Sequence, residues 1–179
     1  MHGLAYVLIP PSGDVDLLVE ASMKPHQEDD GLRSGWWDWF QIGGRFSGRL
    51  DGYDPFSDPR NVAPCRLCGG TGRRPDADLF GSEWLEWSGG CNGCKGTGKE
   101  LVWPTRWARH PGDVAELSAV SVNFADSLAL VAGECGVARE RWVDGKWAEM
   151  EDSEYEAAVA ALIGSAPRAA RVVVVDFHN

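Results

Sequence analysis

Cys65-Arg66-Leu67-Cys68-Gly69-Gly70-Thr71-Gly72 and Cys91-Asn92-Gly93-Cys94-Lys95-Gly96-Thr97-Gly98 are two copies of one pattern, C-x-x-C-x-G-x-G. Two thiolates separated by two residues can bind one metal ion from a tight turn. Two such turns complete the closed tetrahedral site of structural zinc. The glycines serve the same geometry, because a knuckle around a metal needs backbone at positive φ and N–H groups turned towards sulfur. Cys65, Cys68, Cys91 and Cys94 are therefore the expected ligands of one structural zinc ion. Four thiolates close the coordination sphere, which excludes a catalytic zinc with an open position.

The pattern resembles the cysteine-rich domain of the DnaJ/Hsp40 chaperones. Members of that family carry four copies and bind two zinc ions, so the resemblance implies one ion here, held by the same four cysteines. It covers residues 65–98 and no more. The J-domain tripeptide H-P-D has only an interrupted counterpart, His110-Pro111-Gly112-Asp113, with no basic helical hairpin around it. A complete co-chaperone is not expected. A binder of unfolded chains that uses the zinc module remains one reading.

Around this module the chain reads as one α+β domain. Leu4 to Ile9 is a first strand, stopped by Pro10-Pro11. Asp16 to Glu20 fits either a short strand or the opening of a helix, and 23–31 a loop. Residues 49–64, rich in Pro, Asp and Gly, have linker composition. Residues 114–123 are ambiguous between helix and strand. Leu128 to Ala132 is a strand, and 137–143 and 146–150 form a hairpin about Asp144-Gly145. Ser153 and Glu156 have capping-box spacing. Tyr155, Val159, Leu162 and Ile163 make one apolar helical face, and Gly164 is placed to stop that helix. The valines at 172–175 predict a strand buried on both faces and central in its sheet. The expected architecture is a mostly antiparallel sheet with a flanking helix. Residues 1–60 and 101–179 form it, and the zinc module at 61–100 is inserted. First and last strands are expected to be neighbours at the sheet centre.

Composition narrows the functions. The formal charge is −10, from 27 acidic and 17 basic residues. It opposes long-range attraction to nucleic acid. No secretory signal or membrane-spanning run is legible, and five cysteines with four committed to metal suit a reducing compartment. A cytoplasmic location is expected, with no membrane partner. Cys135, the fifth, is expected as a small buried hydrophobe.

Nine tryptophans invite a binding surface. Trp84 and Trp87 share one face if helical, and Trp103 and Trp107 follow the second knuckle. With Arg73 and Arg74 they are candidate contact residues. Arg60, Arg66, Lys95, Lys99, Arg106 and Arg109 extend this basic cluster. A protein partner is expected first, and single-stranded nucleic acid stacked on the indoles second.

The run Gly35-Trp36-Trp37-Asp38-Trp39-Phe40-Gln41-Ile42-Gly43-Gly44-Arg45-Phe46-Ser47-Gly48 is the other unusual stretch. As a strand it places Trp37, Trp39 and Gln41 on one side, and Trp36, Asp38, Phe40 and Ile42 on the other. Gly43-Gly44 permits a bulge or turn across which Asp38 pairs with Arg45. The run resembles one in small proteins of actinobacterial phages, which tend to end in a strand reading V-D-x-H, as Val175-Asp176-Phe177-His178 does here. That resemblance implies a phage origin and carries no activity with it. A host protein is then the expected partner. If this turn lies beside the last strand, Trp37, Asp38, Trp39, Arg45, Asp176 and His178 converge in an aromatic pocket able to stack a nucleotide or hold an acid–base pair. No nucleophile elbow, phosphate loop or H-E-x-x-H motif marks an enzyme.

Overall fold

The computed structural model describes residues 2–27, 35–52, 57, 59–76, 90–102, 110–143 and 146–178. The chain divides into two compact units, residues 1–53 with 107–179, and residues 54–106. In chain order the elements are β1 (His2–Ile9), α1 (Val15–Met23), β2 (Trp39–Ile42), β3 (Val62–Pro64), β4 (Lys99–Leu101), β5 (Val114–Glu116), β6 (Ala129–Ala132), β7 (Cys135–Ala138), β8 (Glu140–Val143), β9 (Lys146–Glu149), α2 (Asp152–Ser165) and β10 (Arg171–His178).

The first unit is an α+β sheet in the order β2-β10-β1-β6-β7. β1 and β10 pair antiparallel from His2 opposite His178 to Ile9 opposite Arg171. The far edge of β10 is shared, β2 taking Val175 to His178 and β5 taking Arg171 to Val173. β1 pairs parallel with β6, and the other pairings between these strands are antiparallel, with one isolated parallel bridge between Gln27 and Trp37. The first and last strands are therefore central neighbours.

Alternation along those two strands builds two cores. Ala5, Val7, Ile9, Val173, Val175 and Phe177 face Val19 and Met23 of α1. Leu4, Tyr6, Leu8, Val172 and Val174 face Tyr155 and Val159 of α2. The four valines are each fully buried, two per face. That is why an unbroken β-branched run, not an alternating one, is the sequence of a central strand.

Asp16 to Glu20 is helical. The Asp14 carboxylate caps α1 by accepting from the Leu17 N–H at 3.0 Å. α2 carries the expected apolar face, but its ends differ. It starts at Asp152, after Glu151, with no side-chain cap, and the Glu151 carbonyl accepts from Glu154 and Tyr155. The Ser153 capping box does not form, because Asp152 is drawn into the first turn by the Arg139 guanidinium. Gly164 lies inside the last turn, and the helix ends only before Pro167.

The expected strand 137–143 is split at Arg139. Its N–H donates to the Leu128 carbonyl, and its guanidinium lies 4.4 Å over the Tyr155 ring. β8 and β9 pair with Val143 opposite Lys146, a register that spans a two-residue connection. Asp144 and Gly145 themselves lie outside the described residues. Residues 114–123 open as β5 and continue as a 3-10 turn, Leu117–Ala119. Cys135 is exposed, at the tight turn joining β6 and β7.

The Gly43-Gly44 turn is tied down by buried carboxylates. Gly43 and Gly44 have φ of 73° and 55°. A methyl group on Gly43 would strike the Asp113 carboxylate, and one on Gly44 the Asp176 side chain. Asp113, 1% exposed, accepts from the Gly48 N–H, from Ser47 Oγ at 3.1 Å and from the His110 N–H at 3.0 Å. His110-Pro111-Gly112-Asp113 is thus a capped 3-10 turn with a structural aspartate.

In the second unit β3 and β4 form a two-stranded ribbon, Val62 opposite Leu101, that closes the base of residues 65–98. Part of the linker-like stretch 49–64 is therefore strand, preceded by a 3-10 turn at Pro59–Asn61. No helix among the described residues is long and apolar enough to cross a membrane.

Asp113→Ala leaves three donors facing a void and is expected to cost about 3 kcal/mol, read by urea denaturation. Asp113→Asn, which keeps one acceptor, should cost less. Equal losses would show that the carboxylate is not what holds the turn.

Candidate functional site

The two knuckles are bond-for-bond copies. The Cys65 carbonyl accepts from the N–H groups of Cys68 and Gly70 at 3.3 and 3.2 Å, and the Cys91 carbonyl from those of Cys94 and Gly96 at 3.2 and 3.3 Å. Thr71 Oγ1 donates to the Cys68 carbonyl and Thr97 Oγ1 to that of Cys94, at 2.8 and 2.7 Å. Gly72 N–H donates to Cys68 Sγ at 3.3 Å and Gly98 N–H to Cys94 Sγ at 3.2 Å. The knuckles also exchange bonds. Cys65 N–H donates to the Gly98 carbonyl and Cys91 N–H to that of Gly72, at 2.9 and 2.8 Å. The pattern therefore repeats because a pseudo-twofold axis relates the two turns.

That exchange explains the last glycine of each copy. A Cβ at Gly72 would strike the Gly96 carbonyl, and one at Gly98 the Gly70 carbonyl. The left-handed position after the second cysteine is Gly69 in one copy (φ 60°) and Lys95 in the other (φ 52°). It needs only backbone freedom, and Gly69 faces open space.

The four cysteines are buried, and their sulfurs lie within 4.8 Å of one another. Cys65 Sγ is 3.9 Å from Cys91 Sγ, and Cys68 Sγ is 3.8 Å from Cys94 Sγ. A zinc tetrahedron with bonds of about 2.3 Å has edges of about 3.8 Å, so the donor set fits the ion. The chain therefore presents a buried site for one metal ion, with zinc the ion its thiolates and geometry suit. Before metal enters, burial pushes the Cys65 thiol up to about 11. Burial acts the same way on Cys68. There the Gly72 and Gly70 N–H groups, with the Cys94 and Cys65 thiols, outweigh it and bring the group down to about 7. Cys68 is thus easier to ionise than Cys65, and metal binding displaces the proton that burial holds on Cys65.

The expected contact residues divide. Trp84, Trp87, Trp103 and Trp107 lie outside the described residues, as do Arg106 and Arg109. Arg73 is exposed, while Arg74 donates through Nε to Asp76 Oδ1 at 2.7 Å, which draws Asp76 below the usual carboxylate range. Arg66, Lys95 and Lys99 also sit at the surface of this unit, with Leu67 42% exposed on the first knuckle.

The pocket residues form a second cluster, with one exception. Trp37 is fully buried in the α1-side core, edge-on to Phe177, so it lines nothing. The strand begins only at Trp39. Asp38 bends the chain before it, donating its N–H to the His178 carbonyl while its carboxylate accepts from the Trp39 N–H. Strict alternation therefore fails between Trp37 and Trp39. Asp38 meets His178, whose Nδ1 is 3.0 Å from Asp38 Oδ1. Arg45 reaches the cluster through its backbone, donating its N–H to Asp176 Oδ2 at 3.0 Å. Trp39, 42% exposed, stacks on His178 with centroids 5.8 Å apart.

His2 joins this cluster, its Nδ1 2.9 Å from Asp176 Oδ1. Its place follows from the register, since pairing 2–9 against 171–178 sets His2 opposite His178. The sequence reading made the first and last strands neighbours, and their antiparallel register is what brings His2 to His178. Comparison with family models, with curated proteins and with solved structures finds no match to this chain.

Metal affinity should fall as pH drops, because the ion then competes with protons for the same thiolates. The expected slope is roughly tenfold per pH unit for each proton displaced. Competition with a chromophoric chelator between pH 6 and 8 measures it, and a flat profile would exclude thiol ligands. Gly98→Ala should weaken binding at least tenfold, whereas Lys95→Gly should preserve or tighten it.

Proposed function

We propose that this chain is a zinc-binding protein that acts by binding a host macromolecule, a protein before a nucleic acid, and so modulates a host process. The observation that carries the reading is the closed four-cysteine site. Such an ion has no open position for chemistry, and its binding energy is folding energy. Among the described residues of the second unit, the buried apolar cluster consists of the four cysteines. The ion thus takes the place of a core, and what it maintains is a surface.

That surface is basic within an acidic chain. Arg66, Arg73, Lys95 and Lys99 are exposed, and a groove of about 400 Å³ is lined by Val62, Ala63, Pro64, Gly70, Gly98 and Lys99. An extended, acidic segment of a partner protein suits such a groove, with Lys99 as its counter-charge and apolar contact elsewhere. The Trp-rich run's resemblance to phage proteins supports a phage origin, which makes the partner a host protein met in the host cytoplasm. The DnaJ-like pattern supports a related reading, in which the clients are unfolded chains.

One observation favours a different class. Asp38, Asp176 and His178 are held together beside an exposed indole on which a nucleobase can stack, and this supports a nucleotide-binding or nucleotide-processing reading that rests on the base and not on the phosphate.

Affinity capture from host lysate with zinc-loaded protein tests these readings. One dominant partner is expected, lost in Cys91→Ser/Cys94→Ser and weakened about tenfold by Arg66→Glu/Lys99→Glu. Retention by both variants would refute the zinc-module surface. A nucleotide in the eluate, kept by the cysteine variant and lost in His178→Ala, would select the pocket. Suppression of aggregation of a denatured model client by the zinc-loaded form alone would select the chaperone-type reading.

A further inference from the structure

We propose that His2 and His178 form a second metal site, for a borderline divalent ion of the zinc, nickel or copper class, with Asp176 and Asp38 holding the two imidazoles from behind. The site is separate from the four cysteines and does not rest on the reading of the zinc module.

The backbone brings the pair together. His2, His178 and Trp39 occupy one cross-strand row on β1, β10 and β2, with His178 directly opposite each of the other two. The imidazole centroids are 5.3 Å apart with ring planes at 75°. Two imidazoles ligating one tetrahedral ion at about 2.0–2.1 Å have centroids about 5 Å apart. The spacing is therefore one that a single ion bridges.

Each ring is already held as a ligand is held. His2 Nδ1 lies 2.9 Å from Asp176 Oδ1, and His178 Nδ1 lies 3.0 and 3.1 Å from the two oxygens of Asp38. An ionised carboxylate only accepts, so both Nδ1 atoms carry the proton and both Nε2 atoms carry the lone pair. A carboxylate behind Nδ1 fixes the tautomer and the orientation of the ring, as in carboxylate–histidine–zinc arrangements. Asp176 is completely buried, and its second oxygen accepts from the Arg45 N–H, so its position is fixed by the glycine turn. An entering ion takes the Nε2 lone pairs in place of whatever hydrogen bonds they make.

Charge and softness select the ligand. Two carboxylates back the two imidazoles, in a chain of formal charge −10. That favours a cation over a phosphate. Imidazole nitrogen favours zinc, nickel or copper over calcium or magnesium, which take oxygen. The side chains of His2 and His178 are 23% and 36% exposed, so the ion has a route in and keeps positions for water or an exogenous ligand. The first site is closed and this one is open.

Equilibrium dialysis of the full chain against micromolar zinc, with elemental analysis, is the test. Two ions per chain are expected. Cys91→Ser/Cys94→Ser should remove one. His2→Gln or His178→Gln should each remove the whole of the other, because both rings hold the same ion, while His110→Gln keeps both ions. Asp38→Asn should weaken the second ion about tenfold. One ion per wild-type chain, or a second ion retained by either His2→Gln or His178→Gln, overturns the proposal. Nuclear magnetic resonance of the wild-type chain gives a readout free of folding effects. The second equivalent of zinc should shift the ring signals of His2 and His178 and spare those of His26 and His110, and unmoved His2 and His178 signals would refute it.

Discussion

Eight residues of β1 lie against eight residues of β10, and most of the first unit depends on that one pairing. It joins stretches separated by most of the chain, so its loop-closure cost is met only when everything between can be accommodated. In return it sets the parity of both faces. Once Val173 points towards α1, Val172 and Val174 must point towards α2, and Tyr6 and Leu8 follow. A slip of one residue would exchange the two cores and carry Asp176 to the α1 side, away from the Arg45 N–H. The register that packs the valines is therefore the register that sets His2, Asp176 and His178 on one face at the sheet end.

Asp176 shows how a polar residue survives in the middle of such a strand. An unpaired buried carboxylate would be intolerable, and here its two oxygens accept from the His2 ring and the Arg45 N–H. The Arg45 donor is available because the backbone turns at Gly43 and Gly44, too close to Asp113 and Asp176 for any side chain. The G-G-R-F-S-G run is thus a backbone device that satisfies two buried aspartates. Asp113 takes the Gly48 N–H, Ser47 Oγ and the His110 N–H from the opposite side. A turn that looked like an arginine motif works through the arginine's amide.

What was legible in the sequence follows physical locality. The knuckles are local, each made by eight consecutive residues, and their metal geometry could be read from spacing alone. The central strand was legible because burial on both faces leaves a continuous β-branched run. Boundaries were harder. α2 starts before its capping-box sequence because Arg139, distant in the chain, engages Asp152. Trp37 left the side assigned to it because Asp38 bonds to the His178 carbonyl and bends the strand. Both departures come from tertiary hydrogen bonds that no local pattern encodes. His2 was missed as a partner of Asp176 because that contact depends on the antiparallel register of the first and last strands, which local pattern does not fix.

The two units solve the same problem by opposite means. In the first, alternating apolar residues on two faces supply a core that needs no ligand. In the second, the buried cluster among the described residues is the four cysteines, and like-charged thiolates at 3.8–3.9 Å would repel without a cation between them. The contrast between Cys65, which burial pushes up to about 11, and Cys68, which the Gly72 and Gly70 N–H groups and its thiol neighbours bring down to about 7, shows how unevenly the protein alone supports charge in this cluster. Gly72 and Gly98 each donate one N–H to a sulfur, Cys68 and Cys94, and two such donors do not offset four negative charges. The knuckle repeat is therefore a metal-dependent fold in itself, and its pseudo-twofold exchange of hydrogen bonds between Cys65 and Gly98 and between Cys91 and Gly72 makes each half the template for the other. Losing either pair of cysteines removes the partner that the remaining pair is built to meet.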